Sequence, residues 1–489
     1  MSNFLERIFH IKEKGSSLGK EILGGVITFI AICYILPVNA GILSSMGMST
    51  AGVFAMTAIL SCVVTLIMAF VANYPITLST GMGLNAYLAY TLSEGLGFNT
   101  WQQKMILLTI TGIIFFIFSL TPIRKIIIEA IPKKVQLIIS MALGGFIALV
   151  GLKSSGIISA NSSTLVQLTD FDNPGVVIAL VGTFIGLAFM FCKSKMLSQL
   201  GIPAALVITA VAAVIATAIL QNNGVSAETI TDTYKLPLLP WTKEANVSWG
   251  ISGVDQVFAY GLLGKDATTG EALYSVKELG NDLVTIFTNP ASYIAIFSLM
   301  FVNLFDTTAT LLAVGSSAGF IDENGKMQNY HRAVIADASG ALICGPCGTS
   351  TLTSFAESNI AIEMGARTGL AAFTSAFLFL LSAFIYPIFS IFTAGCVTAP
   401  ALICVGVLIM FGAGKNLDFK DMSIAFVTFL TVLFTILTYS LSTGIGIGII
   451  SYIVICLAQR KFKEINIPLY AIGALFIISF VLTALMKYV

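Results

Sequence analysis

The chain runs to 489 residues with 25 basic and 24 acidic side chains, a formal net charge of +1. Only 10% of its residues are charged and 57% are hydrophobic, with a mean hydropathy of +0.94, against about 25% charged residues in soluble domains. These values exclude a water-soluble globular enzyme and a disordered chain, give no attraction to nucleic acid, and define an all-α polytopic membrane protein. His10 and His331 are too few for a histidine metal or haem site, and the eight cysteines lie in or beside apolar runs, where thiols act as small hydrophobes. No cofactor, metal or disulfide framework is expected.

A bilayer-spanning helix needs roughly 20 apolar residues. Runs near that length predict spans at 22–44, 52–72, 78–92, 104–120, 136–152, 174–191 and 203–220. The second half predicts 292–316, 332–346, 353–364, 367–391, 399–411, 422–440 and 442–458, with a further apolar run at 468–487 of open placement. With the N-terminus in the cytoplasm, the inside segments hold 18 basic residues, among them Arg7, Lys12, Lys14, Lys20, Arg124, Lys125, Lys195, Lys326 and Lys463. The short outside loops hold two, Lys104 and Lys153. That asymmetry orients the chain in the cytoplasmic membrane with its N-terminus inside. The connection at 221–291, with eight acids and four lysines, falls outside and divides two halves.

The segment Thr77–Asn85 aligns with Thr351–Asn359 at an offset of 274. Each copy follows a proline, starts hydroxyl-rich and β-prone, and then turns into a short helix. With seven spans before the outside connection, the copies are inverted, an architecture of secondary transporters. Half-extended backbone in a bilayer is tolerated only when buried in protein or lining a cavity. Two such segments meeting near the midplane would aim two short-helix N-termini at one site between Gly83–Asn85 and Glu357–Asn359.

Intramembrane acids cost roughly 2.5 to 3.5 kcal/mol on insertion scales and need a reason to be there. Asp306 lies mid-span, and Glu357 opens the short helix of the second copy, where helix capping is the alternative reading. Asp337, five residues past Arg332, reads as a cytoplasmic-end group paired with that base. Asn85 can donate and accept at once, and Gly81 and Gly83 allow close backbone approach. Cys344-Gly-Pro-Cys347 reads as a helix terminator and not as a redox motif. Gly444, Gly446 and Gly448 read as one smooth packing face.

Gly81-Met-Gly-Leu-Asn-Ala-Tyr87, Phe305-Asp-Thr-Thr-Ala-Thr310, Pro346-Cys-Gly-Thr-Ser-Thr351 leading to Glu357-Ser358, and Gly365-Ala-Arg-Thr-Gly-Leu370 occur in that order. Together they resemble the adenine/guanine/hypoxanthine permease branch of the nucleobase-cation symporter (nucleobase-ascorbate transporter) family. The resemblance implies about 14 spans in a seven-plus-seven inverted repeat. It divides the chain into a core domain (22–122 and 292–392), a gate domain (135–220 and 398–458), the extracytoplasmic connection 221–291 and a C-terminal apolar segment 459–489. It further implies proton-coupled purine uptake across the lipid bilayer by alternating access, with hypoxanthine, guanine or adenine as substrate. Asp306 and Glu357 would flank the base, Gly83 and Asn85 would meet its other edge, and Ser358 and Thr310 complete the candidate substrate set.

Two acids sharing one small site titrate as a unit. Asp306 is assigned the transported proton and Glu357 the charge-assisted grip on the base; Phe355 and Tyr87 are candidates to stack on it. The alternatives are an anion transporter or exchanger of the same inverted fold, which would want basic residues at the site, and an intramembrane enzyme using the acid pair. The choice of purine, proton against sodium coupling, and monomer against homodimer stay open.

Overall fold

The computed structural model describes residues 2–92, 98–121, 132–161, 163, 165–193, 201–242, 249–264, 274–318, 320, 327–438, 440–462 and 465–485. Arg124, Lys125, Lys195, Lys326 and Lys463 of the orientation argument lie outside the described residues, and so does the side chain of Asp306.

Helix α1 (Ser2–Phe9) leads to α2 (Leu18–Ile32) and, past a break at Cys33 and Tyr34, to α3 (Ile35–Ser44). Pro37 explains the break. It has no N–H to give the Cys33 carbonyl, which accepts instead from Leu36 N–H at 3.2 Å. Helix α4 (Thr50–Ile67), capped by Ser49, runs into a wider π turn and then through Asn73 (φ 54°) and Pro75 into strand β1 (Leu78–Thr80) and the short helix α5 (Met82–Ala86). There follow α6 (Trp101–Leu120), α7 (Lys133–Ser154), a hairpin of β2 (Ile158–Asn161) and β3 (Leu165–Leu168), α8 (Pro174–Met190) and α9 (Gly201–Asn222).

The connection after α9 packs onto the bundle. The backbone of Gly253 sits against Gly52 of α4, and Ala259 N–H donates to the Pro346 carbonyl at 2.6 Å. The amphipathic helix α10 (Val276–Thr288), opened by a Ser275–Glu278 capping box, then turns 86° into α11 (Pro290–Ser317). The rest is α12 (Tyr330–Cys344), strand β4 (Leu352–Ser354), α13 (Asn359–Glu363), α14 (Gly369–Ser382), α15 (Gly395–Gly414), α16 (Met422–Leu437), α17 (Leu441–Ala458) and α18 (Ile467–Leu485). Among the described residues, six helices are long and apolar enough to cross a membrane, counting α2 and α3 as one, and two bent pairs, α10 with α11 and α14 with the short segment Tyr386–Thr393 at 89°, raise this to eight.

Small residues set how closely these helices pack. Helices α7 and α15 cross where a Cβ on Gly144 would lie 2.6 Å from the Gly406 carbonyl oxygen, and one on Gly406 would lie 2.5 Å from that of Gly144. The expected single glycine face of α17 is two faces: Gly444 and Gly448 meet Thr435 and Thr431 of α16, whereas Gly446 meets Phe476 of α18. Helix α18 rests on α17 and α11, its Phe476 ring 5.4 Å from Phe297 and 6.1 Å from Phe301. Helices α2, α3, α4 and α14 pack together, as do α6, α11 and α12; α7, α8, α9, α15, α16 and α17 form a second set of contacts.

Candidate functional site

The two hydroxyl-rich segments meet. Strand β1 pairs antiparallel with β4, in the register Leu78 to Ser354, Ser79 to Thr353 and Thr80 to Leu352. The ladder extends by one bond at each end, from Gly81 N–H to the Thr351 carbonyl at 3.0 Å and from Phe355 N–H to that of Thr77 at 3.1 Å.

Outer-edge groups that a two-stranded ribbon leaves open find side-chain partners, as buried backbone requires. Thr65 Oγ1 accepts from Leu78 N–H at 3.0 Å and donates to the Leu78 carbonyl at 3.1 Å. Ser358 Oγ accepts from Thr77 N–H at 3.0 Å. Asp337 Oδ1 accepts from both N–H and Oγ–H of Ser354 at 2.9 Å, and its Oδ2 accepts from Thr307 Oγ1 at 2.7 Å. This corrects the expectation for Asp337. The fully buried carboxylate spends both oxygens tying β4 to α11, while Arg332 is exposed.

On α4, Thr57, Ser61 and Thr65 recur every four residues and form a polar stripe facing the crossing. Thr57 bonds Thr349, Ser61 bonds Ser79 (both 2.8 Å), and Thr65 bonds Leu78. Asn39 Nδ2 joins the network through Thr57 and Thr349 at 2.8 and 3.0 Å.

The crossing presents the predicted residues as follows. Glu357 lies in the single turn Ala356–Ser358 just past Phe355, half-buried, with Oε1 accepting from Tyr34 O–H at 3.2 Å. Asn85 lies in α5 and is fully buried, and neither its amide oxygen nor its amide nitrogen has a hydrogen-bond partner among the described residues. Gly83 is covered by the Leu143 side chain of α7. Ser358 is drawn into the ladder edge, and Thr310 stands one turn along α11 from Asp306. Helix α11, which carries Asp306 and Thr310, packs against α5, β4, the Ala356–Ser358 turn and α13, and so touches both copies. Phe355 and Tyr87, the candidate stacking rings, are both buried.

Tyr34 and the α4 stripe take part in the hydrogen bonds of the crossing without having been singled out from the sequence, and Asp337 was singled out there for a different partner. Pro37, three residues beyond Tyr34, was the available signal for a helix break at that level. The four-residue recurrence of Thr57, Ser61 and Thr65 was the signal for the stripe.

Apolar helices wrapped around two extended segments, with a buried unpartnered amide following one of them and a carboxylate following the other, are the build of a multi-pass membrane transporter. The family model Xan_ur_permease, described as a permease family, matches residues 19–447, and the chain belongs to that family. It is 35% identical to the guanine/hypoxanthine permease PbuO of Bacillus subtilis, over 96% of this chain and 99% of that protein. It is 33% identical to the guanine/hypoxanthine permease PbuG of the same organism, over 98% of this chain and 99% of that one. To the adenine permease AdeQ of Escherichia coli it is 30% identical, over 98% and 97%. These relatives are transporters and not enzymes, as expected from the motifs. Among solved structures, the transmembrane domain of the cyanobacterial bicarbonate transporter BicA aligns with a TM-score of 0.56 at 13% identity, covering 88% of this chain and 97% of that one. Murine Slc26a9 in the inward-facing state aligns with a TM-score of 0.54 at 12% identity, over 94% and 72%. Both share the fold.

Proposed function

We propose that this permease carries purine nucleobases, hypoxanthine and guanine foremost and adenine as a further substrate, across the cytoplasmic membrane together with protons. The observation that carries the reading is Asn85, a buried amide with neither atom bonded, at a crossing that also presents Glu357. An unsatisfied buried polar group costs about 1–3 kcal/mol. A purine, edged with alternating donors and acceptors, supplies what Asn85 lacks, and the permease names of its relatives support that class of cargo.

In this reading Glu357 accepts a ring N–H, Asn85 and the backbone near Gly83 meet the opposite edge, and Ser358 and Thr310 line the site. Asp306 takes the proton on one side and releases it on the other. The core (22–122 and 292–392) moves against the gate (135–220 and 398–458), built as a seven-plus-seven inverted repeat with the N-terminus inside. The packing of α5 on α7, across which Gly83 meets Leu143, is the surface that parts. An anion exchanger is disfavoured by the two acids of the site.

The test is uptake of radiolabelled hypoxanthine, guanine, adenine and uracil into cells lacking their own permeases, with and without a proton uncoupler. Saturable purine uptake abolished by the uncoupler is the expected result. Correctly inserted protein with no uptake of any base overturns the proposal, and an Asp306→Asn protein that still accumulates purine against a gradient overturns the proton assignment.

A further inference from the structure

One oxygen of the Glu357 carboxylate is held from another part of the fold. That oxygen, Oε1, accepts a hydrogen bond from the phenol of Tyr34 at 3.2 Å, and Tyr34 itself is 2% exposed. The phenol stands at the joint that Pro37 imposes between α2 and α3. From that joint α2 packs against the Ala356–Ser358 turn and α13, which carry Glu357 and follow it, while α3 packs against α5, which carries Asn85. Tyr34 is therefore placed where the supports of the two short helices join, 323 residues away in sequence from the carboxylate it holds.

We propose that Tyr34 is a positioning residue for the substrate grip. By fixing Oε1 its phenol sets the rotamer of Glu357, so that the carboxylate presents its remaining acceptor capacity to the ligand N–H at the angle at which Asn85 meets the other edge. A carboxyl-terminated side chain with three rotatable bonds would otherwise lose rotamer freedom each time a base bound. The phenol imposes that order before the ligand arrives. This rests on the assignment of Glu357 to the site made above, and it extends that assignment to a residue at the α2–α3 joint that acts through the carboxylate.

The test uses the full-length transporter with Tyr34→Phe, which keeps the ring and the packing and removes only the hydroxyl. Loss of one hydrogen bond to a charged group corresponds to about a tenfold change or more. The KM for hypoxanthine uptake is expected to rise about tenfold while the maximal rate per inserted molecule stays unchanged, and an unchanged KM overturns the proposal. Equilibrium binding of radiolabelled hypoxanthine to purified protein then compares Tyr34→Phe in the native and Glu357→Gln backgrounds. A residue that acts through the carboxylate becomes nearly silent once the carboxylate is gone. An equal loss in both backgrounds means that Tyr34 acts by packing, which overturns the proposal. Wild-type binding by Glu357→Gln alone is a different failure, that of the Glu357 assignment itself. Where Glu357→Gln binds too weakly to compare, the KM of Tyr34→Phe decides.

Discussion

Ser79 and Thr353 oppose one another at the centre of the strand crossing, and they stand 274 residues apart, the same offset that aligns the two hydroxyl-rich segments. The flanking bonds obey the same relation. Gly81 N–H to the Thr351 carbonyl becomes, on adding the offset to one residue and subtracting it from the other, Phe355 N–H to the Thr77 carbonyl. The ribbon is thus locally two-fold, and it carries α5 away at one end and the Glu357 turn away at the other.

The ribbon's outer edge depends on single hydroxyls. Thr65→Val keeps shape but leaves both Leu78 backbone groups without their partner, at a cost of about 1–3 kcal/mol. The purified protein is expected to melt several degrees lower. A melting temperature equal to wild type would mean that another group has replaced the hydroxyl.

Asp337 should be more sensitive to loss than to neutralisation. Asp337→Leu strands the Ser354 N–H and the hydroxyls of Ser354 and Thr307, at about 1–3 kcal/mol for each buried group left unbonded. Asp337→Asn retains one acceptor oxygen, and its amide can donate to Thr307. Detergent-solubilised thermal stability should therefore rank wild type, then Asn, then Leu, and an inverted order of Asn and Leu would contradict this account.

At the α7–α15 crossing either glycine admits no side chain. Gly406→Val forces the helices apart and is expected to destabilise by about 1–3 kcal/mol or more. Gly412→Val, at a position with open space around it, is the control in the same helix. Size-exclusion profiles of the two variants should differ sharply, with aggregation confined to the first.

One acid outside the membrane sets a pH dependence of known sign. Asp421 caps α16 by accepting from Ser423 N–H at 3.0 Å, and that backbone bond holds its carboxyl below the usual aspartate range. A lowered folded-state value adds stability above the unfolded value, and this is lost as pH falls through the folded one. Between about pH 5 and pH 3 the melting temperature of wild type should fall further than that of Asp421→Asn, which caps without titrating.

Much of the fold was legible because a bilayer demands long apolar runs: 174–191 and 203–220 appear as Pro174–Met190 and Gly201–Asn222. The half-extended pair was legible from Thr, Ser and Pro clusters within otherwise apolar sequence, and so was the placement of Glu357 and Asn85 near it. Asp337 was misread since spacing along a helix favours the near Arg332, whereas its partners on β4 and α11 are defined only by packing. The amphipathic α10 and the β2–β3 hairpin were hidden because a polar connection carries no hydropathy signal. The break at Tyr34 was hidden because one proline does not interrupt an apolar run.

The pairing of β1 with β4 also fixes an order of events during synthesis. Leu78 leaves the ribosome long before Leu352, and at about 5–20 residues per second the wait is roughly 15–55 s. Throughout that interval β1 has no strand to pair with, and α4, made just before it, can hold the Leu78 backbone through Thr65 and the Ser79 hydroxyl through Ser61. The hydroxyl stripe of α4 can thus act as a provisional holder for the first strand, and the site cannot be assembled until translation has passed the second.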